Sequence, residues 1–216
     1  MSDPRNMHAP TGFHDDRPLD RAALLDDPIE QFRRWLDDAE RAGVPLPNAM
    51  AVATADAQGR PSARHVLLRG VDERGFQFFT NRESRKGRHL AETPWAALVF
   101  LWKELDRQVH VTGPVAVVSD EESDAYFASR PRDAQLGAWA SAQSATIAGR
   151  DELETRLAEA TARFPGVVPR PPYWGGYTVK PETIEFWQGR RHRLHDRFVY
   201  IAEAPRGPWH VVRLAP

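Results

Sequence analysis

The sequence predicts a mostly antiparallel β-barrel with flanking helices, and three observations carry that expectation. Short segments rich in β-branched and aromatic residues recur along the chain, turn signals separate them, and the helical stretches between them follow no regular βαβ alternation. The chain has 216 residues, 41% hydrophobic and 27% charged, which is ordinary globular composition and ample length for one buried core. One domain is expected over 28–216. The preceding stretch, 1–27, reads as a flexible arm, because its scattered aspartates and arginines leave no continuous apolar run for a secretory signal.

The elements follow in order. "PIEQFRRWLDDAERAG" places Ile29, Phe32, Leu36 and Ala39 at helical spacing, with Pro28 suited to the first helical position and Gly43 to the C′ position. "NAMAVATAD", "SARHVLLRGV" and "GFQFFTN" read as strands joined by the turns "AQGRP" and "DERG". "SRKGRHLAE" is helix-like with Ser84 as N-cap, and "WAALVFLW" and "RQVHVTGPVAVV" return to strands. Ser119 and Glu122 stand in capping-box spacing ahead of a helix carrying Tyr126 and Phe127. A longer helix, "DELETRLAEATARF", ends at Pro165 and Gly166, and "VVPRPPYWGG" is a loop. "YTVKPETIEFWQG", "RFVYIAEA" and "PWHVVRLAP" are strand-like again.

Composition removes several functions. A formal net charge of −1 gives no global basic field to recruit nucleic acid or a membrane surface. The absence of cysteine excludes disulfides, thiolate nucleophiles, Cys-ligated zinc and iron–sulfur clusters, and no HExxH, Walker A, GxSxG or GxGxxG pattern occurs. The longest apolar run, "WAALVFLW", is far short of the roughly 20 residues that span a bilayer as a helix. A cytoplasmic protein with no metal site is expected.

Charge and aromatic residues converge at five places. In "TNRESRKG" a strand ends at Thr80, and Ser84, Arg85 and Lys86 open a helix whose unpaired N–H groups favour an anion; a capped helix start with two solvated cations is the plainer alternative. In "RHVLLRG" a regular strand puts Arg64 and Val66 on the face opposite His65, Leu67 and Arg69, so one arginine can point inward. Gln108 lies inside a strand, where its amide offers one donor and one acceptor edge to a ring imide or to water. Tyr126 and Arg130, four apart, share a helix face, Gln143 and Ser144 add hydrogen-bonding groups, and Trp187 either packs the core or covers a planar ligand. In "RLHDR", Arg193, His195 and Arg197 fall on one face if the segment is a strand, and three like charges there call for an anion opposite.

Taken in order, "RHVLLRG", "FFTNRESRKGRHL", "RQVHVTG", "YFASRPRDAQLGAWASAQS", "WGGY", "IEFWQGRRHRLHDR" and the terminal "RLAP" resemble the pyridoxamine 5′-phosphate oxidase family, from about Pro28 to Pro216. The resemblance implies an FMN-binding split β-barrel, a homodimer with FMN at the subunit interface, and a dioxygen-using oxidase. It assigns Arg64, Thr80, Ser84, Arg85 and Lys86 to the FMN phosphate and its surroundings, with His65, Val66, Leu67 and Phe79 beside them. Gln108, Gln143, Ser144, Trp187 and Arg197 would complete the flavin site. Arg69, Tyr126 and Arg130 would grip a substrate phosphate, and Arg193 and His195 would lie over the substrate ring as catalytic residues.

The implied reaction converts pyridoxine or pyridoxamine 5′-phosphate to pyridoxal 5′-phosphate, with hydrogen peroxide as co-product. Three departures from the family pattern fall on the substrate side. Arg69 stands where the family usually has lysine, Ala134 where it has serine, and the family's N-terminal Arg and Tyr pattern is not found in residues 1–27. They leave room for an oxidase of the phenazine-biosynthesis type acting on a reduced aromatic metabolite. A non-catalytic binder of flavin or pyridoxal phosphate is the further alternative.

Overall fold

The computed structural model describes residues 17–204 and 207–216. The first helix, α1 (Pro28–Arg41), starts where Asp27 accepts hydrogen bonds from the amides of Ile29 and Glu30, and ends in a Schellman arrangement. Gly43, at φ 70°, donates to the Glu40 carbonyl, and Val44 donates to the Ala39 carbonyl. The apolar stripe of α1 buries Ile29, Phe32, Trp35 and Ala39. Phe32 lies 4.8 Å from the rings of both Phe76 and Phe100, and Trp35 meets Phe186 edge-on at 5.0 Å, so α1 is seated on the barrel core.

Among the described residues, ten strands follow the expected antiparallel plan. β1 (Ala49–Ala55) pairs with β2 (Pro61–Leu67), and a short β3 (Gly70–Asp72) pairs with β4 (Gly75–Asn81). After α2 (Arg85–Glu92) come β5 (Trp95–Trp102) and the long β6 (Arg107–Val117). Helices α3 (Asp120–Ser129), α4 (Arg132–Ala140) and α5 (Arg150–Arg163) lead to β7 (Trp174–Val179), β8 (Thr183–Gln188), β9 (Asp196–Ala202) and β10 (Trp209–Leu214). The sheet runs β10-β9-β8-β6-β5-β1-β2, and a branch runs from β6 through β7 to β4 and β3. Inward residues of every layer, among them Met50, Val52, Phe78, Leu98, Val111, Ile184 and Tyr200, form one core with α1.

β6 carries the branch. From Arg107 to Thr112 it pairs with β8 on one side and β5 on the other, and from Val115 to Val117 it pairs with β7. The exchange of partners happens at Gly113 and Pro114. A Cβ on Gly113 would stand 1.8 Å from the Lys180 carbonyl oxygen, and Pro114, which lacks an N–H, uses its carbonyl to accept from the Lys180 amide. The branch joins the two halves of the split barrel.

The expected loop "VVPRPPYWGG" ends at Tyr173, because Trp174, Gly175 and Gly176 already pair with β4, and two further expectations about the fold need correction. No helix is expected over 132–140, yet α4 forms there; Pro131 precedes it without a side-chain cap, and the interior Gly137 mutes the helical signal. The flexible arm expected over 1–27 lies outside the described residues as far as residue 16. Residues 17–27 pack: Leu19 and Leu24 are buried, the Leu19 amide donates to Asp196 Oδ2, and the Tyr200 hydroxyl donates to the Leu25 carbonyl at 2.6 Å. Among the described residues, no helix is long and apolar enough to cross a membrane.

Because the obstacle at Gly113 is backbone, it cannot rotate away as a flexible side chain would. A Gly113→Val variant is expected to lose ~1–3 kcal/mol or more to overpacking, lowering the melting temperature by roughly 3–10 °C or abolishing soluble expression. A melt that matches wild type would show that the crossing is looser than described.

Candidate active site

A cleft of about 530 Å³ opens between β2, the end of β4, and helices α3 and α4. Arg64, His65, Val66 and Leu67 line it from β2, and Phe79 and Thr80 from β4. β2 ends at Leu67, and Leu68 turns into the core, donating to the Asn48 carbonyl. Arg69 then donates its amide to Gln77, and its side chain reaches the cleft despite the parity expected of an unbroken strand. Lys86, Tyr126, Arg130 and Gln143 complete the expected lining.

At one end of the cleft Lys86 is buried without an acidic partner. Its Nζ donates to Thr80 Oγ1 at 2.9 Å, Gln143 Oε1 at 2.9 Å and Ser84 Oγ at 3.3 Å. Ser84 caps α2 by accepting from the Gly87 amide, and Ser144 Oγ accepts from the Arg85 amide at 3.2 Å. Ser144 holds a left-handed φ of 74°, a conformation that costs a non-glycine residue on the order of 1 kcal/mol or more. The 143–144 loop is thus tied to the opening of α2. Arg64 donates to the Val52 carbonyl, Thr54 Oγ1 and Ser62 Oγ, all neutral acceptors. Among the described residues neither Arg64, Arg85 nor Lys86 forms an ion pair. Burial, with Arg64 beside it, pushes the Lys86 ammonium down to about 8. Burial likewise lowers Arg64, with Arg85 adding to the effect.

The other end is aromatic and cationic. Tyr126 stacks on Phe79 at 4.1 Å, and Trp174 stacks on the same ring at 5.6 Å. The Arg130 guanidinium lies 4.7 Å from the Trp174 ring centre, and that of Arg69 lies 5.9 Å from the Tyr126 ring centre. Arg130 Nη1 is buried with no hydrogen-bond partner, and desolvation lowers the arginine's pKa, with Arg69 contributing. A buried cation with an unmet donor is costly unless an anion completes it. Ala134, Gly137 and Ala138 make the α4 wall of small groups. Trp174 was not singled out by the sequence reading, although its position before Gly175 and Gly176 marks it as an aromatic group with bare backbone behind it.

The remaining expected residues lie elsewhere in the subunit. Gln108, Trp187 and Arg197 are direct cross-strand partners on β6, β8 and β9, in one row that continues to Leu101 and Leu214. The inward neighbours Val109, Phe186 and Phe198 are core, so this row faces outward. The reading of "RLHDR" as one strand face is corrected. β9 begins at Asp196, and residues 191–193 form a 3-10 turn in which His192 and Arg193 take φ of 57° and 63°. Nor do the cations all await an outside anion. Arg197 pairs with Glu185 through two contacts of 2.7 and 3.1 Å, and buried Asp196 binds Arg190 and Arg213.

His195 packs 4.5 Å from Trp187, and its Nδ1 accepts from the Arg190 amide at 3.1 Å, which places the ring hydrogen on Nε2. Burial and the charge of Arg193 hold its pKa below the usual histidine value. The bond at Nδ1 and this shift both favour the neutral ring.

Comparison with known proteins now bears on this arrangement. Residues 36–164 match the family model described as pyridoxamine 5′-phosphate oxidase. The chain belongs to the pyridoxamine 5′-phosphate oxidase family. Residues 174–216, which include Trp187, Arg193, His195 and Arg197, match that family's C-terminal dimerisation region. The pyridoxine/pyridoxamine 5′-phosphate oxidase of Cupriavidus taiwanensis is 57% identical over 198 residues, covering 92% of this chain and 93% of its own. That of Rubrobacter xylanophilus is 58% identical over 206 residues, covering 93% and 94%. Among solved structures, PhzG from Burkholderia lata, crystallised with tetrahydrophenazine-1-carboxylic acid, superposes with a TM-score of 0.88 at 34% identity, over 95% of this chain and all of that one. An FMN-binding protein from Nostoc punctiforme shares the fold, with a TM-score of 0.68 at 17% identity over 86% and 97% of the two chains.

Lys86 gives the cationic end a pH signature. The unfolded chain keeps a proton that the folded chain releases near pH 8, so charged Lys86 costs stability below pH 8, and the cost fades as pH rises toward the ordinary lysine value. A bound phosphate reverses this by favouring the ammonium. With FMN as probe, affinity is expected to stay level up to about pH 8 and then fall by up to about tenfold per pH unit, with proton uptake on binding. Calorimetry in buffers of different ionisation enthalpy measures both. Lys86→Arg should remove the step, and a step that persists in that variant would assign the titration to another group.

Proposed function

We propose that this chain is an FMN-dependent oxidase that converts pyridoxine or pyridoxamine 5′-phosphate to pyridoxal 5′-phosphate, with dioxygen as electron acceptor and hydrogen peroxide as product. The observation that carries the reading is one cleft with a cationic centre at each end, neither neutralised by an acid. A phosphorylated cofactor and a phosphorylated substrate would satisfy one each. The residues fit FMN: Arg64, Arg85 and Lys86 supply charge, and Thr80, Ser84, Gln143 and Ser144 supply neutral hydrogen-bonding groups around it. FMN, when bound, supplies a two-electron acceptor that is restored by dioxygen.

The protein's own part is binding and orientation. Arg69, Tyr126 and Arg130 hold the substrate phosphate, so binding energy remote from the reacting carbon fixes its position. The partner subunit contributes Gln108, Trp187, Arg193, His195 and Arg197, none of which lines the cleft of its own subunit. Arg193 and His195 lie over the substrate ring, and His195 presents an Nε2 hydrogen to the heteroatom on the reacting carbon while Nδ1 stays anchored to the Arg190 amide. The substrate gives up a hydride from that carbon and a proton from its heteroatom to water; the alcohol thereby becomes the aldehyde directly, whereas the amine becomes an imine that water hydrolyses with release of ammonia. The absence of cysteine suits a cytoplasmic site of action.

A second reading, oxidation of a reduced tricyclic metabolite, draws on the small-residue wall of α4 and the likeness to PhzG. The unmet Arg130 donor calls for an anion of either kind, and the 57% and 58% identity to pyridoxine/pyridoxamine 5′-phosphate oxidases, against 34% to PhzG, favours the phosphorylated substrate.

Protein loaded with FMN and given pyridoxine 5′-phosphate in air should form pyridoxal 5′-phosphate and peroxide in equal amounts; no product from fully loaded protein overturns the reading. Arg130→Ala is expected to raise KM by roughly 30-fold or more, the cost of a lost charged hydrogen bond, while FMN content is unchanged. Arg193→Leu should lower kcat more than FMN content, and equal loss of both would contradict its role over the substrate.

A further inference from the structure

We propose that Thr54 and His89 are positioning residues that hold Arg64 for the cofactor phosphate, an inference that rests on the reading of the Lys86 end as the FMN phosphate site. Neither residue lines the cleft. Thr54 is an inward residue of β1, 3% exposed, in a row whose other inward members are Met50 and Val52. His89 is buried on α2. A polar pair in that place needs a reason.

The reason is a directed chain of hydrogen bonds. Arg64 Nη1 donates to Thr54 Oγ1 at 2.9 Å, and Thr54 Oγ1 lies 3.2 Å from His89 Nδ1. A hydroxyl has one hydrogen. In the arrangement proposed, Thr54 accepts from the guanidinium and turns that hydrogen to Nδ1, which accepts it. Each bond thus points away from the cleft, and each polarises the next in a medium shielded from water. His89 sits on the helix whose first turn carries Arg85 and Lys86. Glu92, one turn further along α2, is engaged with the Ala57 amide.

The chain solves a problem of aim. Arg64 has no carboxylate to fix its fork; the Val52 carbonyl, Ser62 Oγ and Thr54 Oγ1 do so instead. Ser62 and Thr54 are direct cross-strand partners, as are Val52 and Arg64, so the guanidinium is laid along the β1–β2 ladder. Thr54 is the member of this set whose orientation is set from α2. It therefore links Arg64 to the helix whose first turn carries Arg85 and Lys86.

The test separates aim from packing by comparing two flavins that differ by one phosphate. Dissociation constants for FMN and riboflavin are read from quenching of flavin fluorescence, in wild type and in Thr54→Val, Thr54→Ser, His89→Leu and His89→Asn. Wild type should prefer FMN strongly. Thr54→Val and His89→Leu should weaken FMN about tenfold and leave riboflavin within about twofold, as expected for a disturbed charged hydrogen bond. Thr54→Ser keeps the hydroxyl, and His89→Asn keeps an acceptor where Nδ1 stood; both should restore FMN affinity. Equal loss for both flavins, or no loss for either, would overturn the positioning role. A wild type that does not distinguish FMN from riboflavin would instead overturn the phosphate site on which the proposal rests.

Discussion

The fold turns on one strand that must belong to two sheets. β6 is the common member of the β5–β6–β8 ladder and the β6–β7 branch, and it can serve both only because a glycine and a proline occupy the point of exchange. Gly113 lets the Lys180 carbonyl come within a distance no side chain permits, and Pro114 has no amide hydrogen to leave unpaired. From that crossing β7 runs back beside β4, which brings Trp174 beside Phe79. The same strand carries Gln108 on its outward face and Val109 and Val111 into the core. Both the cleft and the outward row are therefore placed by a single backbone.

Around that frame the chain spends stability on charge. Its acids and bases nearly balance overall, yet in the cleft Arg64, Lys86 and Arg130 face hydroxyls, amides, carbonyls and aromatic rings in place of carboxylates. Replacing any of those neutral neighbours with an acid would relieve the desolvation and fill the site with its own counter-ion. Neutral partners fix geometry while leaving the charge to be met from outside. The cation–aromatic contacts at Arg130 have the same character: they orient the fork without competing for its hydrogens.

Much of this was legible in the sequence because local chemistry and tertiary role agree there. Pro28 and Gly43 close α1, Ser84 and Ser119 cap α2 and α3, and the turn residues separate strands. The cleft residues from β2, β4 and α2 could be picked out because charge at a strand end or helix start has a recognised use. What was illegible depended on partners distant in sequence. Nothing near Arg197 announces Glu185, so its charge looked unbalanced. α4 lacked a cap, and Trp174 fell in a stretch read as a loop. Thr54 was readable in principle, since it alone breaks the apolar inward parity of β1, but its meaning needed His89 on another element.

The segment "RLHDR" shows how pairing sorts a cluster that looks uniform in sequence. Asp196 is buried and takes Arg190, Arg213 and the Leu19 amide, so one carboxylate pins the turn after β8 to β10 and to the chain ahead of α1. Glu185 takes Arg197. Those charges are structural, and they hold the turn in which Arg193 takes a left-handed conformation on an exposed edge. His195, neutral and tethered through Nδ1, stands beside it. Arg193 is thus the arginine of the segment without an ion pair among the described residues, and it is exposed and outside the lining of its own cleft. It lies in the stretch that matches the family's dimerisation region, so under the proposed function it is placed to serve the cleft of a second subunit.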